Sequence, residues 1–98
     1  MMIVMGQVQV APQNMERARE VARQHVARSR TEPGCISHAV YEDPERPHLL
    51  VFIEEWASQE ALMRHFAVPD SVASVKELGR LEAARPSMKL YEAVERPL

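Results

Sequence analysis

One tryptophan and one histidine, Trp56 and His65, stand nine residues apart in the stretch "EEWASQEALMRH". An indole and an imidazole in one pocket would let an aromatic ligand stack beside a base that changes protonation near neutral pH. Glu54 lies two residues before the tryptophan and therefore shares its face of an extended strand. A carboxylate in such apolar company is costly unless it is paired, which makes Glu54 a third candidate for chemistry.

The sequence contains no motif for a metal site, a phosphate-binding loop or a nucleophilic cysteine. His25, His38 and His48 show no ligand spacing, and HxxxH, HExxH and CxxC motifs are absent, so no metal site is predicted. The three glycines stand apart and form no phosphate-binding loop. Cys35 has no histidine near it in the sequence and is interpreted as a packed residue rather than a nucleophile. No cofactor is predicted.

The length and composition predict a single domain over residues 1–98. A net charge of −2 argues against nucleic acid as a partner, because phosphate recognition needs a basic face. The single cysteine favours a reducing, cytoplasmic location. No apolar run approaches the ~20 residues of a membrane-spanning helix, and the opening "MMIVM" lacks the features of a signal peptide.

Hydrophobic periodicity and the positions of the prolines predict four strands and three helices. The strands are expected at 2–10, 35–43, 48–56 and 87–94, and the helices at 14–30, 58–66 and 70–84. Pro33 and Gly34 suit the central positions of a type II turn, in which glycine accepts a positive φ. The order βαββα(α)β predicts an α+β, ferredoxin-like sandwich, in which helices cover one face of a four-stranded antiparallel sheet.

The strand 48–56, "HLLVFIEEW", is apolar on both faces. The helices can hide one face, and a water-facing side would show alternating polar residues. A homodimer packed through the apolar sheet face is therefore predicted. The alternative is an unusually apolar sheet face exposed to solvent.

A hairpin loop from Pro44 to Pro47 would place Tyr41 opposite Leu50, Ser37 opposite Glu54 and Cys35 opposite Trp56. His38 would then lie on the other sheet face. The apolar face of the helix 58–66 is expected to lie against the sheet, so that this helix and the strand 48–56 enclose one cavity. The residues predicted to line it are Tyr41, Phe52, Glu54, Trp56, Leu62, His65 and Phe66. The alternatives are that Trp56 is only a core residue and that His65 lies at the surface.

Three motifs, "RSRTEPGC", "FIEEW" and "WASQEALMRH", together resemble the antibiotic biosynthesis monooxygenase (ABM) domain family. The resemblance runs from Val4 to Tyr91 and implies a homodimer whose two sheets form an α+β barrel. It also implies a pocket between the sheet and the helices of each subunit. Many members carry a histidine after the proline that follows the helix, and in this chain Asp70 stands there.

The resemblance implies several possible activities. Some relatives oxidise quinols or polyketide hydroquinones with O2 and no cofactor, while others degrade haem, isomerise a signal molecule or have no known activity. Haem degraders also carry an asparagine in the first strand, where this chain has Gly6, Gln7, Val8 and Gln9. A cofactor-independent monooxygenase acting on a small aromatic quinol, phenol or polyketide-like substrate is therefore predicted.

In that mechanism His65 is the base, Trp56 is the stacking wall, and Glu54 or Asp70 orients the imidazole. Two alternatives stay open, because a fold does not fix a function. One is a dimeric protein that binds a small hydrophobic ligand, or serves in a stress response, without chemistry. The other is an isomerase that transfers protons in the same pocket and needs no oxygen.

Overall fold

The computed structural model describes all 98 residues and has the predicted order of strands and helices. The strands are β1 (Met2–Gln9), β2 (Cys35–Glu42), β3 (Leu49–Trp56) and β4 (Ser87–Glu92). The helices are α1 (Met15–Ser29), α2 (Gln59–Ala67) and α3 (Pro69–Leu81), and a 3-10 turn, Pro12–Asn14, leads into α1. The predicted boundaries differ from these by only a few residues.

The four strands form one antiparallel sheet in the order β2-β3-β1-β4. This is the ferredoxin-like arrangement, so the predicted α+β fold class is confirmed. The helices lie on the sheet face that carries the buried Val4, Phe52 and Trp56. None of the helices combines the length and the apolar character that crossing a membrane would require.

Local hydrogen bonding determines where α2 begins after β3. The Ser58 side chain accepts a hydrogen bond from the backbone N–H of Ala61 at 3.1 Å and caps the helix. The helix then presents Ala61, Leu62 and His65 as its buried face. Asn14 precedes α1 but does not cap it, because its side-chain amide donates to the carbonyl of Leu81 at 3.4 Å.

The predicted register of the β2–β3 hairpin is wrong by one residue over most of its length. His48 has a φ of 64° and therefore belongs to the connecting loop rather than to the strand. The longer loop pairs Tyr41 with Val51 and His38 with Glu54. A β-bulge between Cys35 and Ser37 restores the predicted pairing of Cys35 with Trp56.

The shift exchanges the two faces of β2. His38, predicted on the outer face, lies beneath the helices and is 1 % exposed. Tyr41, predicted to face the cavity, lies on the outer face and is 56 % exposed. A one-residue slip moves every side chain of a strand to the opposite face, so this single loop residue determines which groups enter the site.

Of the three glycines, Gly34 has the least room for a side chain. Its φ is +84°, as the predicted turn requires, and a Cβ added there would lie 2.5 Å from the Cβ of Ala61. We expect Gly34→Ala to lower the free energy of unfolding by roughly 1–3 kcal/mol, because it adds both backbone strain and overlap with α2. Urea denaturation followed by circular dichroism measures this change.

Gly79→Ala is the matched control, since it also adds one methyl group. A Cβ at Gly79 meets nothing within 4 Å, and the position is inside α3. This substitution should raise the free energy of unfolding by up to about 1 kcal/mol through helix propensity. Equal urea midpoints for Gly34→Ala and the wild type would contradict the account of the turn.

Candidate active site

Trp56 and His65, which the sequence predicted to meet, are in contact. Their ring centroids are 4.5 Å apart and the ring planes are inclined by 31°. Trp56 is fully buried at the end of β3, and His65 is 3 % exposed on α2. The short capped connection brings the inward face of α2 over the end of the strand, so the predicted proximity of the two rings is confirmed.

Glu54 is the centre of the polar contacts at this point. Its Oε1 accepts a hydrogen bond from Trp56 Nε1 at 3.0 Å and lies 3.3 Å from His38 Nε2 and 3.7 Å from His65 Nε2. Burial by itself raises the pKa of Glu54, but the neighbouring His38, the indole N–H and the charge of His65 outweigh it and lower that pKa. The carboxylate is therefore held ionised by the indole and imidazole groups around it.

Three buried histidines surround this carboxylate, and we call His25, His38 and His65 the imidazole cluster. Their ring centroids are 5.2 to 5.6 Å apart, although they come from α1, β2 and α2. His25 Nδ1 lies 2.7 Å from an Arg28 N–H donor, so the neutral ring carries its proton on Nε2. Burial, followed by the charges of His38, His65 and Arg28, lowers the pKa of His25 to about 3.

A second carboxylate orients His65. Glu32 Oε1 lies 2.8 Å from His65 Nδ1, and this side chain comes from the turn after α1. An Nδ1–H that donates to Glu32 leaves Nε2 as the nitrogen that can take a proton. Ser71 lies 3.5 Å from the same Nδ1 and accepts a hydrogen bond from Arg28 at 3.0 Å. The sequence analysis used Glu32 only to end a helix, and nothing local indicated its contact with His65.

A cavity of about 280 Å³ opens between the sheet, α1 and α3 and reaches the imidazole cluster. His25, Phe52 and Glu54 are the residues of the site that line it, and Gly6 on β1 leaves room above the sheet. The full lining is Gly6, Gln7, Val8, His25, Phe52, Glu54, Val75, Leu78, Gly79, Glu82, Pro86, Ser87 and Met88. Trp56 and His65 lie one layer behind this surface.

The other residues predicted for the pocket are not part of its lining. Leu62 is fully buried and packs with Trp56, Val4 and Ala61, and Phe66 is partly buried against the same group. Asp70 is exposed in the first turn of α3 and makes no hydrogen bond to His65. The wall formed by α3 and β4, from Val75 to Met88, was missed because no local motif indicates which helix will cover a sheet.

The arrangement is suited to proton transfer. An ionised carboxylate lies at the floor of a largely apolar cavity, with an imidazole behind it whose far nitrogen is fixed by Glu32. A hydroxyl that enters the cavity can hydrogen-bond to Glu54, while the Nε2–H of His25 is a donor for the resulting oxyanion. Because Glu54 and His25 are buried, these interactions are stronger than they would be in solution.

Comparison with known proteins places this chain in a family. Residues 1–77 match the family model of the antibiotic biosynthesis monooxygenases. Because the match covers most of the chain, the protein belongs to the antibiotic biosynthesis monooxygenase family. Protein sll1783 of Synechocystis sp., which is uncharacterised, is 32 % identical over 93 residues, or 95 % of this chain and 63 % of that protein. The chain thus spans less than two thirds of that relative.

Solved structures agree with this assignment. The crystal structure of an antibiotic biosynthesis monooxygenase has a TM-score of 0.90 at 27 % identity, over 97 % of this chain and 100 % of that one. A Bacteroides thetaiotaomicron protein of unknown function has a TM-score of 0.86 at 28 % identity, over 94 % and 97 % of the two chains. The family match and these structures agree on the ferredoxin-like fold over most of the chain.

Proposed function

We propose that this protein oxidises a small electron-rich phenol or hydroquinone with O2 and without a cofactor. The observation that supports this most directly is the buried Glu54 carboxylate at the floor of the cavity, backed by His65 and its partner Glu32. Proton removal makes such a substrate a much better electron donor. The protein then has to supply orientation, a dry cavity and a proton acceptor.

The proposed reaction balances without an outside reductant. A hydroquinone and O2 give a hydroxyquinone and water, so the substrate provides all four electrons that O2 takes up. Glu54 accepts the hydroxyl proton and shares it with His65, and the anion then passes one electron to O2. The two radicals combine to form a C–O bond on the ring. Loss of water leaves one oxygen atom in the product.

Oxygen consumption by the chelator-treated wild type, measured with a panel of model hydroquinones, tests the proposal. We expect substrate-dependent oxygen uptake and incorporation of one atom of ¹⁸O2 into the product. Conversion that proceeds equally well without oxygen would instead indicate the isomerase. Ligand-induced stabilisation with no product under any condition would indicate a protein that only binds. Either result would contradict the monooxygenase.

We also propose that two copies pack through the outer face of the sheet. Met5 and Ile53 are paired across β1 and β3 at the centre of this face and are 42 % and 37 % exposed. Tyr41 and Tyr91 extend the apolar surface and are 56 % and 45 % exposed. An apolar patch of this kind on a small domain is typical of a protein–protein contact.

Ile53→Glu should convert the dimer to a monomer, because a twofold interface would bury the two new carboxylates close together. Sedimentation velocity of the wild type and the variant measures the change. Met63→Glu is the matched control, since Met63 is 43 % exposed on α2 and lies away from this face. A wild type that sediments as a monomer, or an Ile53→Glu variant that stays dimeric, would contradict the proposed contact.

A further inference from the structure

The imidazole cluster contains the residue types of a metal site, although their spacing in the sequence did not indicate one. One nitrogen from each of His25, His38 and His65 lies within 4.8 Å of the others, and all three side chains are buried. The histidines are contributed by α1, β2 and α2, so no short motif could contain them. Imidazole nitrogens gathered in this way from three elements are the donor set that a transition-metal ion prefers.

His38 is the member of the cluster that most clearly points to a ligand. It is 1 % exposed, and neither ring nitrogen has a well-aligned hydrogen-bond partner. Buried polar side chains in native proteins are nearly always satisfied, and an exception calls for a bound group. Glu54 accepts a hydrogen bond from Trp56, and His65 Nδ1 lies against Glu32. Glu32 Oε2 and Arg28 Nε also lack partners, but His38 is the only buried ring with both nitrogens unpaired.

Glu54 adds a negatively charged oxygen at a suitable distance. In a tetrahedral site with metal–ligand bonds near 2.05 Å, neighbouring donor atoms are about 3.3 Å apart. Glu54 Oε1 lies 3.3 Å from His38 Nε2 and 3.7 Å from His65 Nε2. The ligand nitrogens of His38 and His65 lie within 4.8 Å of each other, so one ion can reach all three donor groups.

The partners behind these donors are also of the kind that metal sites use. Glu32 lies 2.8 Å from His65 Nδ1, which fixes the ring so that Nε2 faces the cluster with its lone pair. Trp56 donates to Glu54 at 3.0 Å and holds the carboxylate. A carboxylate behind a ligating histidine is a recurrent arrangement that raises the affinity of the metal.

We propose that His38, His65 and Glu54 bind one divalent first-row transition ion, and that the remaining coordination position faces the cavity. Two imidazoles and one carboxylate suit zinc, cobalt or iron(II) rather than calcium or magnesium. His25 closes the cluster without serving as a ligand, because its Nδ1 accepts from Arg28 and its Nε2 carries the proton. The inference goes beyond the proposed oxidation and competes with it for one atom, because a bound ion would occupy the His65 nitrogen that the oxidation uses.

Titration calorimetry of the untagged, chelator-stripped protein with Zn²⁺ tests the proposal. The wild type should bind one ion per chain. Glu32→Gln should weaken the affinity by roughly 10- to 100-fold, as is usual for a partner behind a ligand. His38→Ala and His65→Ala, which remove ligands, should weaken it by more than this. His48→Asn removes an exposed loop histidine and should bind Zn²⁺ as the wild type does.

X-ray absorption of the zinc-loaded wild type provides a test that needs no variant. The expected spectrum has a shell of nitrogen and oxygen neighbours with the scattering pattern of imidazole. Absence of zinc binding by the wild type would overturn the proposal. So would a sulfur ligand, a shell of water alone, or a loss of affinity in His48→Asn equal to that in His38→Ala.

Discussion

His65→Ala is expected to reduce oxygen-dependent turnover by roughly 100- to 10,000-fold, the range typical for loss of a positioned general base. The variant removes the nitrogen that lies 3.7 Å from Glu54 and takes up the substrate proton with it. Initial rates from an oxygen electrode measure the loss. The fluorescence of Trp56, the only tryptophan, reports whether substrate still binds beside the altered site.

Because His65 is buried against Trp56, its truncation could also loosen the core. Glu32→Gln separates the two effects, since it keeps the shape of the side chain and removes only the charge that orients Nδ1. We expect a smaller but clear loss of rate with unchanged thermal stability. His48→Asn is the control histidine, and asparagine tolerates its positive φ. A wild-type rate in His65→Ala would exclude this residue from the reaction.

Gly6→Val is expected to weaken substrate binding by roughly 10- to 200-fold, the effect of adding bulk to a fitted pocket. Gly6 lies on the central strand β1 and lines the cavity between Phe52 and Met88. A valine there would project into the space that the substrate needs. The Michaelis constant from oxygen uptake, or ligand-induced stabilisation of the protein, measures the change.

Gly6→Ala is the matched control for this prediction. Its Cβ would meet Ser87 O at 3.7 Å and Phe52 Cβ at 3.8 Å, which are ordinary contact distances. The alanine variant should therefore fold like the wild type and lose little affinity. Gly6→Val should also remain folded, because valine favours extended backbone. An unchanged Michaelis constant in Gly6→Val would show that the substrate binds elsewhere.

Some features of this protein follow from sequence patterns that act over short distances. The helical spacing of Leu62 and His65 specifies the inward face of α2. The Ser58 cap fixes where α2 begins, so the meeting of Trp56 and His65 is almost a local property. The positive φ of Gly34 also follows from its own turn sequence. These features could be predicted because each depends on neighbouring residues alone.

The composition of the active site depends on features that the sequence left ambiguous. The β2–β3 loop includes His48 because of one backbone torsion, and this moves His38 inside and Tyr41 outside. The partner strand β3 is apolar on both faces, so its sequence does not favour one register of β2 over the other. Periodicity could not separate them, since a slip of one residue preserves the pattern and exchanges the faces.

The sequence by itself determined the order of elements, the α+β class and the pairing of an indole with an imidazole at the β3–α2 junction. Only the tertiary structure decided that Glu32 orients His65, and that His25 and His38 complete the cluster around Glu54. These contacts join side chains far apart in the chain, and they exist because the end of α1, the bulged strand β2 and the helix α2 pack together. Such packing depends on the fit of whole surfaces, which no local spacing of residue types encodes.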